Sequence, residues 1–128
     1  MLEKGQPVPH FAVTDINGMR VVYTEAIWQR RHLLLITLAP ATSPDEDAYL
    51  SRIHARLGEL SSLDTTCVIT RETVPDTPRP GIVVADRWGE IQHVAGAARV
   101  GALPNVDDLL DWLHYVEQRC PECEGEAR

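Results

Sequence analysis

Leu33 to Ala39 (LLLITLA) runs directly into Pro40-Ala41-Thr42-Ser43-Pro44 and then into three acids, Asp45, Glu46 and Asp47. The apolar run is too short for a typical helix and lacks the polar alternation of a half-exposed strand. It therefore reads as a buried strand of the kind found in α/β proteins. Prolines fix φ in the segment that follows, and acids suit the positive end of a helix dipole, so a turn opening into a helix is expected there.

A chain of 128 residues, 44% of them hydrophobic, suits one compact domain that buries a core without disulfide staples. The net charge of −7 argues against a nucleic-acid or anionic-membrane surface, because neither attracts an acidic protein. Leu33 to Ala39 is the longest apolar stretch, far below the roughly 20 residues that cross a bilayer. The opening MLEKGQPVPH has no apolar secretion core, and three cysteines suit a reducing cytosol better than a disulfide scaffold. The expectation is a cytoplasmic domain over residues 1–119 with an acidic tail at 120–128.

Elements alternate along the chain. Asp15-Ile16-Asn17-Gly18 carries a hairpin signal between strand candidates Phe11 to Thr14 and Arg20 to Tyr23. Thr24 to Arg30 has room for two helical turns. From Pro44 to Ser61, Tyr49, Leu50, Ile53, Leu57 and Leu60 recur at spacings of three and four, which describes one helix. Thr65 to Thr70 reads as a second buried strand, and the prolines at 75, 78 and 80 make residues 71–80 an irregular connection. Gly81 to Ala85 and Glu90 to Ala95 flank Asp86-Arg87-Trp88-Gly89 as a hairpin. Asn105 is the expected N-cap of a final helix, with Val106, Leu109, Leu110, Leu113 and Val116 on its apolar face.

Three stretches together resemble the thioredoxin-like superfamily, in its redoxin branch of alkyl hydroperoxide reductase and thiol-specific antioxidant proteins. They are Pro9-His10-Phe11 with the D-x-x-G at 15–18, the strand, turn and helix at 33–61, and Pro80 to Gly89 with its P-x-x-x-x-x-D-x-x-G spacing. The resemblance covers nearly the whole chain and rests on the order and spacing of these motifs. It implies an α/β thioredoxin-like fold, a central mixed sheet of four to five strands with helices on its faces. It also implies a cis-proline at Pro80 that receives a thiol substrate, and places Pro44 as the proline of a C-x-P-C turn.

Carried onto this turn, the two family cysteines fall on Thr42 and Asp45. The substrate-contact positions Pro80, Thr42, Pro44 and Asp45 are therefore expected to be inert, since a threonine hydroxyl needs an activating base and no histidine is near in sequence. The peroxiredoxin spacing P-x-x-x-T-x-x-C is unmatched as well, with Pro44 and Asp47 at its last two fixed positions. Three acids opening a helix are read as complementing its dipole. Residues 71–80 are shorter than the family's helical crossover, which is expected to leave apolar sheet surface uncovered and to favour a homodimer or a protein partner.

Cys120-Pro121-Glu122-Cys123 follows the last helix. A C-x-x-C serves redox pairs and zinc half-sites alike, and supplies two of the four ligands of a tetrahedral zinc. Three readings stay open: a redox-active or regulatory dithiol with Cys120 and Cys123 as catalytic residues, zinc bound at a dimer interface, or a tail without chemistry. Neighbouring acids disfavour the thiolate form. Cys67 is expected to be a small buried hydrophobe, and the five histidines show no ligand spacing. Two functional classes follow: a redoxin-type oxidoreductase or antioxidant acting through the C-terminal pair without a further cofactor, or a catalytically inactive thioredoxin-like binding or dimerisation module.

Overall fold

A computed structural model describes residues 2–118; Cys120, Cys123 and the tail at 120–128 lie outside the described residues. Strand β1 (Ala12–Thr14) pairs antiparallel with β2 (Arg20–Val22) as a two-stranded sheet, followed by one helical turn, α1 (Tyr23–Ala26). The main sheet holds β3 (His32–Thr37), β4 (Thr65–Thr70), β5 (Gly81–Ala85) and β6 (Ile91–Gly96), in the order β4-β3-β5-β6. Strand β4 runs parallel to β3, while β5 and β6 each run antiparallel to their neighbour, so the sheet is mixed. Helices α2 (Pro44–Ala55), α3 (Leu57–Ser62) and α4 (Val106–Gln118) complete the chain, with a short 3-10 turn at Val100–Ala102 before α4.

All six residues of β3 are buried, and they serve two cores in alternation. Leu34 and Ile36 join Ile82, Val84, Tyr49, Ile53, Leu109 and Leu113 beneath the helices. Leu33 and Leu35 join Val68, Val83 and Ala85 beneath Phe11, Val13, Tyr23 and Ile27. Two-sided burial is the physical reason that this strand shows no polar alternation in sequence.

Both D-x-x-G stretches form turns of one construction. Asp15 Oδ1 accepts the Asn17 and Met19 N–H groups, each at 2.9 Å, and Gly18 takes φ of +83°. Asp86 Oδ1 likewise accepts the Trp88 and Glu90 N–H groups, each at 3.0 Å, and Gly89 takes φ of +86°. The carboxylate supplies the acceptor and the glycine the left-handed backbone, which is why the motif encodes a hairpin.

Two expectations are corrected. The helix read over 44–61 is interrupted at Arg56, where φ is −114° and the guanidinium holds Glu59 at 2.8 Å and Asp107 of α4 at 2.7 Å. The apolar sheet surface expected beneath residues 71–80 is covered. Because β5 runs antiparallel to β3, a short connection across the end of β3 suffices and no crossover helix is needed. Val74, 2% exposed, and the N-terminal residues Leu2, Val8, Phe11 and Val13 close that face. The argument for a dimer from an open sheet face is lost with it.

The two matched turns differ in burial, since Asp86 is 5% exposed and also accepts Gln92 Nε2 at 3.1 Å, whereas Asp15 borders solvent. Asp86→Ala is expected to cost about 2–3 kcal/mol and Asp15→Ala about 1 kcal/mol in urea unfolding. Equal losses would show that burial does not set the strength of this turn.

Candidate functional site

The candidate site lies where β3 ends, α2 begins and β5 starts, a junction set by the register Thr37 opposite Gly81. Ser43 is the extended residue before α2 and Pro44 its first helical residue, a position where proline's missing N–H costs nothing. Thr42 and Pro44 are exposed on this turn, while Pro80 is buried and its peptide bond with Arg79 is cis, as expected. Thr37 Oγ1 donates to the Pro78 carbonyl at 2.6 Å, and Arg79 donates to the carbonyls of Leu38 and Arg71. The proline-rich connection is thereby tied to the end of β3.

The first-turn acids divide their work. Ser43 Oγ donates to Asp45 Oδ1 at 2.5 Å and Gly101 N–H donates to Asp45 Oδ2 at 3.0 Å, with Arg99 at 3.7 Å. The Ser43 bond, aided by Gly101 and Arg99, holds the Asp45 carboxyl below its usual range. A side chain at position 101 would collide with this carboxylate, so the close approach requires glycine. Glu46 is 2% exposed and takes both arms of Arg71, at 2.9 and 2.7 Å, while Arg71 also donates to the Ala39 carbonyl at 2.8 Å. This pairing raises the Arg71 guanidinium above its ordinary value. A bidentate pair compensates the burial of Glu46, and removing either partner would strand a buried charge. Asp47 points away from both and makes no ion pair among the described residues.

Among the described residues, nothing at this turn supplies a nucleophile with its base. Thr42 has no bond to a histidine. His10 packs near Trp28, His93 lies tilted against Trp112 with ring centroids 3.7 Å apart, and His32 lies at the far end of β3. Burial pushes the Cys67 thiol up to about 12, so it is no thiolate at neutral pH, although its side chain is only part-buried on β4. Among the described residues no group of three or more His, Cys, Asp and Glu is placed to hold a metal. The candidate residues Cys120 and Cys123 lie outside the described residues.

A second polar cluster escaped sequence reasoning, because its members are up to 85 residues apart. His32, 1% exposed, accepts the Arg87 backbone N–H at Nδ1 (3.0 Å), which leaves the ring proton on Nε2, facing Glu117 Oε2 at 2.6 Å. Arg87 Nη2 reaches the same oxygen at 3.1 Å. The cluster ties the last turn of α4 to the start of β3, opposite Thr42 and Pro80. Arg87 Nε, buried beside it, finds no acceptor among the described residues.

No protein-family model matches the chain, and no curated protein matches it in sequence. Solved structures do match in shape. The 2-Cys peroxiredoxin of Plasmodium vivax superposes with a TM-score of 0.69 at 11% identity, over 87% of this chain and 80% of that one. AhpC of Mycobacterium tuberculosis gives 0.66 at 11% identity, over 96% and 98%. A thiol:disulfide interchange protein of the thioredoxin family from Chlorobium tepidum gives 0.64 at 11% identity, over 91% and 99%.

Burial lowers the His32 pKa, outweighing the upward pull of Glu117. A histidine depressed in the folded state favours folding fully above its unfolded value of about 6.5, and that contribution is lost as pH falls towards the folded value. Stability should therefore decline on acidification below about pH 6.5. His93, also lowered by burial, adds to the slope. In urea titrations at several pH values His32→Gln should flatten the decline, and an unchanged slope would remove His32 as its source.

Proposed function

From a thioredoxin-like fold whose redox turn carries Thr42 and Asp45 in place of thiols, we propose that this chain is a binding module, catalytically inactive at that turn. The observation that carries the reading is the engagement of Asp45 and Glu46, two of the three acids that open α2, in structural bonds. Both Asp45 oxygens are bonded, and Glu46 is closed into a buried pair with Arg71. Asp45, held below its usual carboxyl range, and Glu46, tied to a guanidinium, are poor proton acceptors, and among the described residues no hydrogen bond joins either to Thr42, so the turn acts as a surface rather than a reaction centre. Thr42 and Pro44, exposed on the turn, and the part-buried Asp45 then act as contact positions for a protein partner, with the buried Pro80 shaping the surface beneath them.

The purified protein is expected to consume no hydrogen peroxide and to reduce no insulin disulfide through this turn. The double variant Thr42→Ala, Asp45→Ala should keep whatever thiol-dependent rate the parent has. A large loss in the variant would overturn the reading.

A second reading is favoured by the position of the C-x-x-C and by the shape shared with peroxiredoxins and thiol:disulfide interchange proteins. Here Cys120 and Cys123 form a redox or antioxidant pair in a reducing cytosol, or bind zinc together with the same pair of a second copy. The anchor of α4 at Glu117 lies at the opposite end of β3 from Pro80, which supports a pair acting apart from the turn. Thiol counting on the native, air-exposed protein should find Cys67 slow to react, with two further thiols released by reductant or by chelator. Three thiols reacting alike without either treatment would exclude a Cys120–Cys123 pair.

A further inference from the structure

The face of α2 turned from the redox turn carries a feature that neither reading uses. Asp47, Leu50, Ser51 and His54 recur at three- and four-residue spacing beside the core stripe of Glu46, Tyr49 and Ile53. Strand β4 is the edge of the main sheet, so this second stripe overhangs the edge with no neighbouring strand beneath it. A cavity of about 530 Å³ results, floored by Leu50, Ile53, Cys67 and Ile69 and closed at one end by the hairpin turn at Asp15 to Asn17. Its size falls within the range of small-molecule sites, and its apolar floor beneath a few polar groups matches their usual make-up.

Two details narrow the occupant. The β4 edge is capped on both sides, since Arg31 donates to the Thr65 carbonyl at 3.0 Å and Ile16 N–H donates to the Ile69 carbonyl at 2.9 Å. The stretch left between is too short to dock a further strand of ordinary length. The titratable side chains lining the cavity are two carboxylates, Asp15 and Asp47, one imidazole, His54, and the Cys67 thiol, with no lysine or arginine among the lining residues. Asp15 uses one oxygen for its turn, and Asp47 has no ion-pair partner among the described residues.

We propose that this cavity binds a small amphipathic organic cation, its apolar body on Leu50, Cys67 and Ile69 and its amine or guanidinium group between Asp47 and Asp15. The site is separate from the turn at Thr42 and stands whether or not that turn is inactive. Ile16 and Leu57, 43% and 38% exposed at the rim, would be covered by such a ligand.

The test uses 4-phenylbutylamine as probe, with 4-phenylbutyrate and butylamine as controls, followed by amide chemical shifts of the full chain. The amine should perturb Asp15 to Asn17, α2 and β4, and bind about tenfold more tightly than either control. Asp47→Asn should weaken it about fivefold, and 0.5 M salt should do likewise. Asp15→Asn keeps an acceptor for its turn and tests the second carboxylate in the same way. Ser51→Trp, on an exposed position at the mouth, should abolish binding while leaving the remaining spectrum folded. Equal binding of amine and carboxylate, shifts confined to other surfaces, or no saturation at millimolar probe would each overturn the proposal.

Discussion

Burial of β3 on both faces is the constraint on which the rest of the molecule depends. A strand with no solvent side must be covered twice, and the chain does this with unlike materials: three helices on one face, and a hairpin, a helical turn and loop residues on the other. The helical layer fixes where α2 starts, and so fixes the turn at Thr42. The other layer needs no helix, because Val74 and the N-terminal residues supply enough apolar surface to bury Leu35, Val68 and Val83.

The turn illustrates how little of a fold belongs to its chemistry. A helix N-terminus beside a cis-proline can stabilise a thiolate, yet the same positive end serves equally well to seat carboxylates. In this chain Asp45 fastens the 3-10 turn through Gly101, and Glu46 fastens the start of the 71–80 connection through Arg71. The geometry of the junction is kept while its contents have become structural.

What the sequence disclosed, and what it withheld, divides by distance along the chain. The D-x-x-G turns, the Asn105 cap, whose Oδ1 accepts the Asp108 N–H at 2.9 Å, and the apolar face of α4 were legible because each is decided within a few residues. Arg56, at the break, is held by Asp107, 51 residues away, a contact that local periodicity cannot register. Asp45, Glu46 and Asp47 read alike as dipole-complementing acids. Their separate fates, to Gly101, to Arg71 and to the cavity, were set by tertiary neighbours. Cys67 was read as a core residue, and it does pack against the core, but only part-buried, from a sheet edge whose missing neighbour no local pattern announces.

The β1–β2 hairpin is a sheet of its own. Among the described residues its backbone-to-backbone links to the large sheet lie in the turn region, where Asp15 bridges Thr70 and Ile16 N–H meets the Ile69 carbonyl, and the Thr14 backbone adds bonds to the Thr70 and Glu72 side chains. Such a unit can open by itself at a lower free energy than the strands it leans on, so its amides should exchange by sub-global opening while those of β3 await global unfolding. The wall formed by Asp15 to Asn17 belongs to this unit. Any molecule seated against that wall is thermodynamically linked to the hairpin's closure, and occupancy would be read out as slower exchange of the β1–β2 amides.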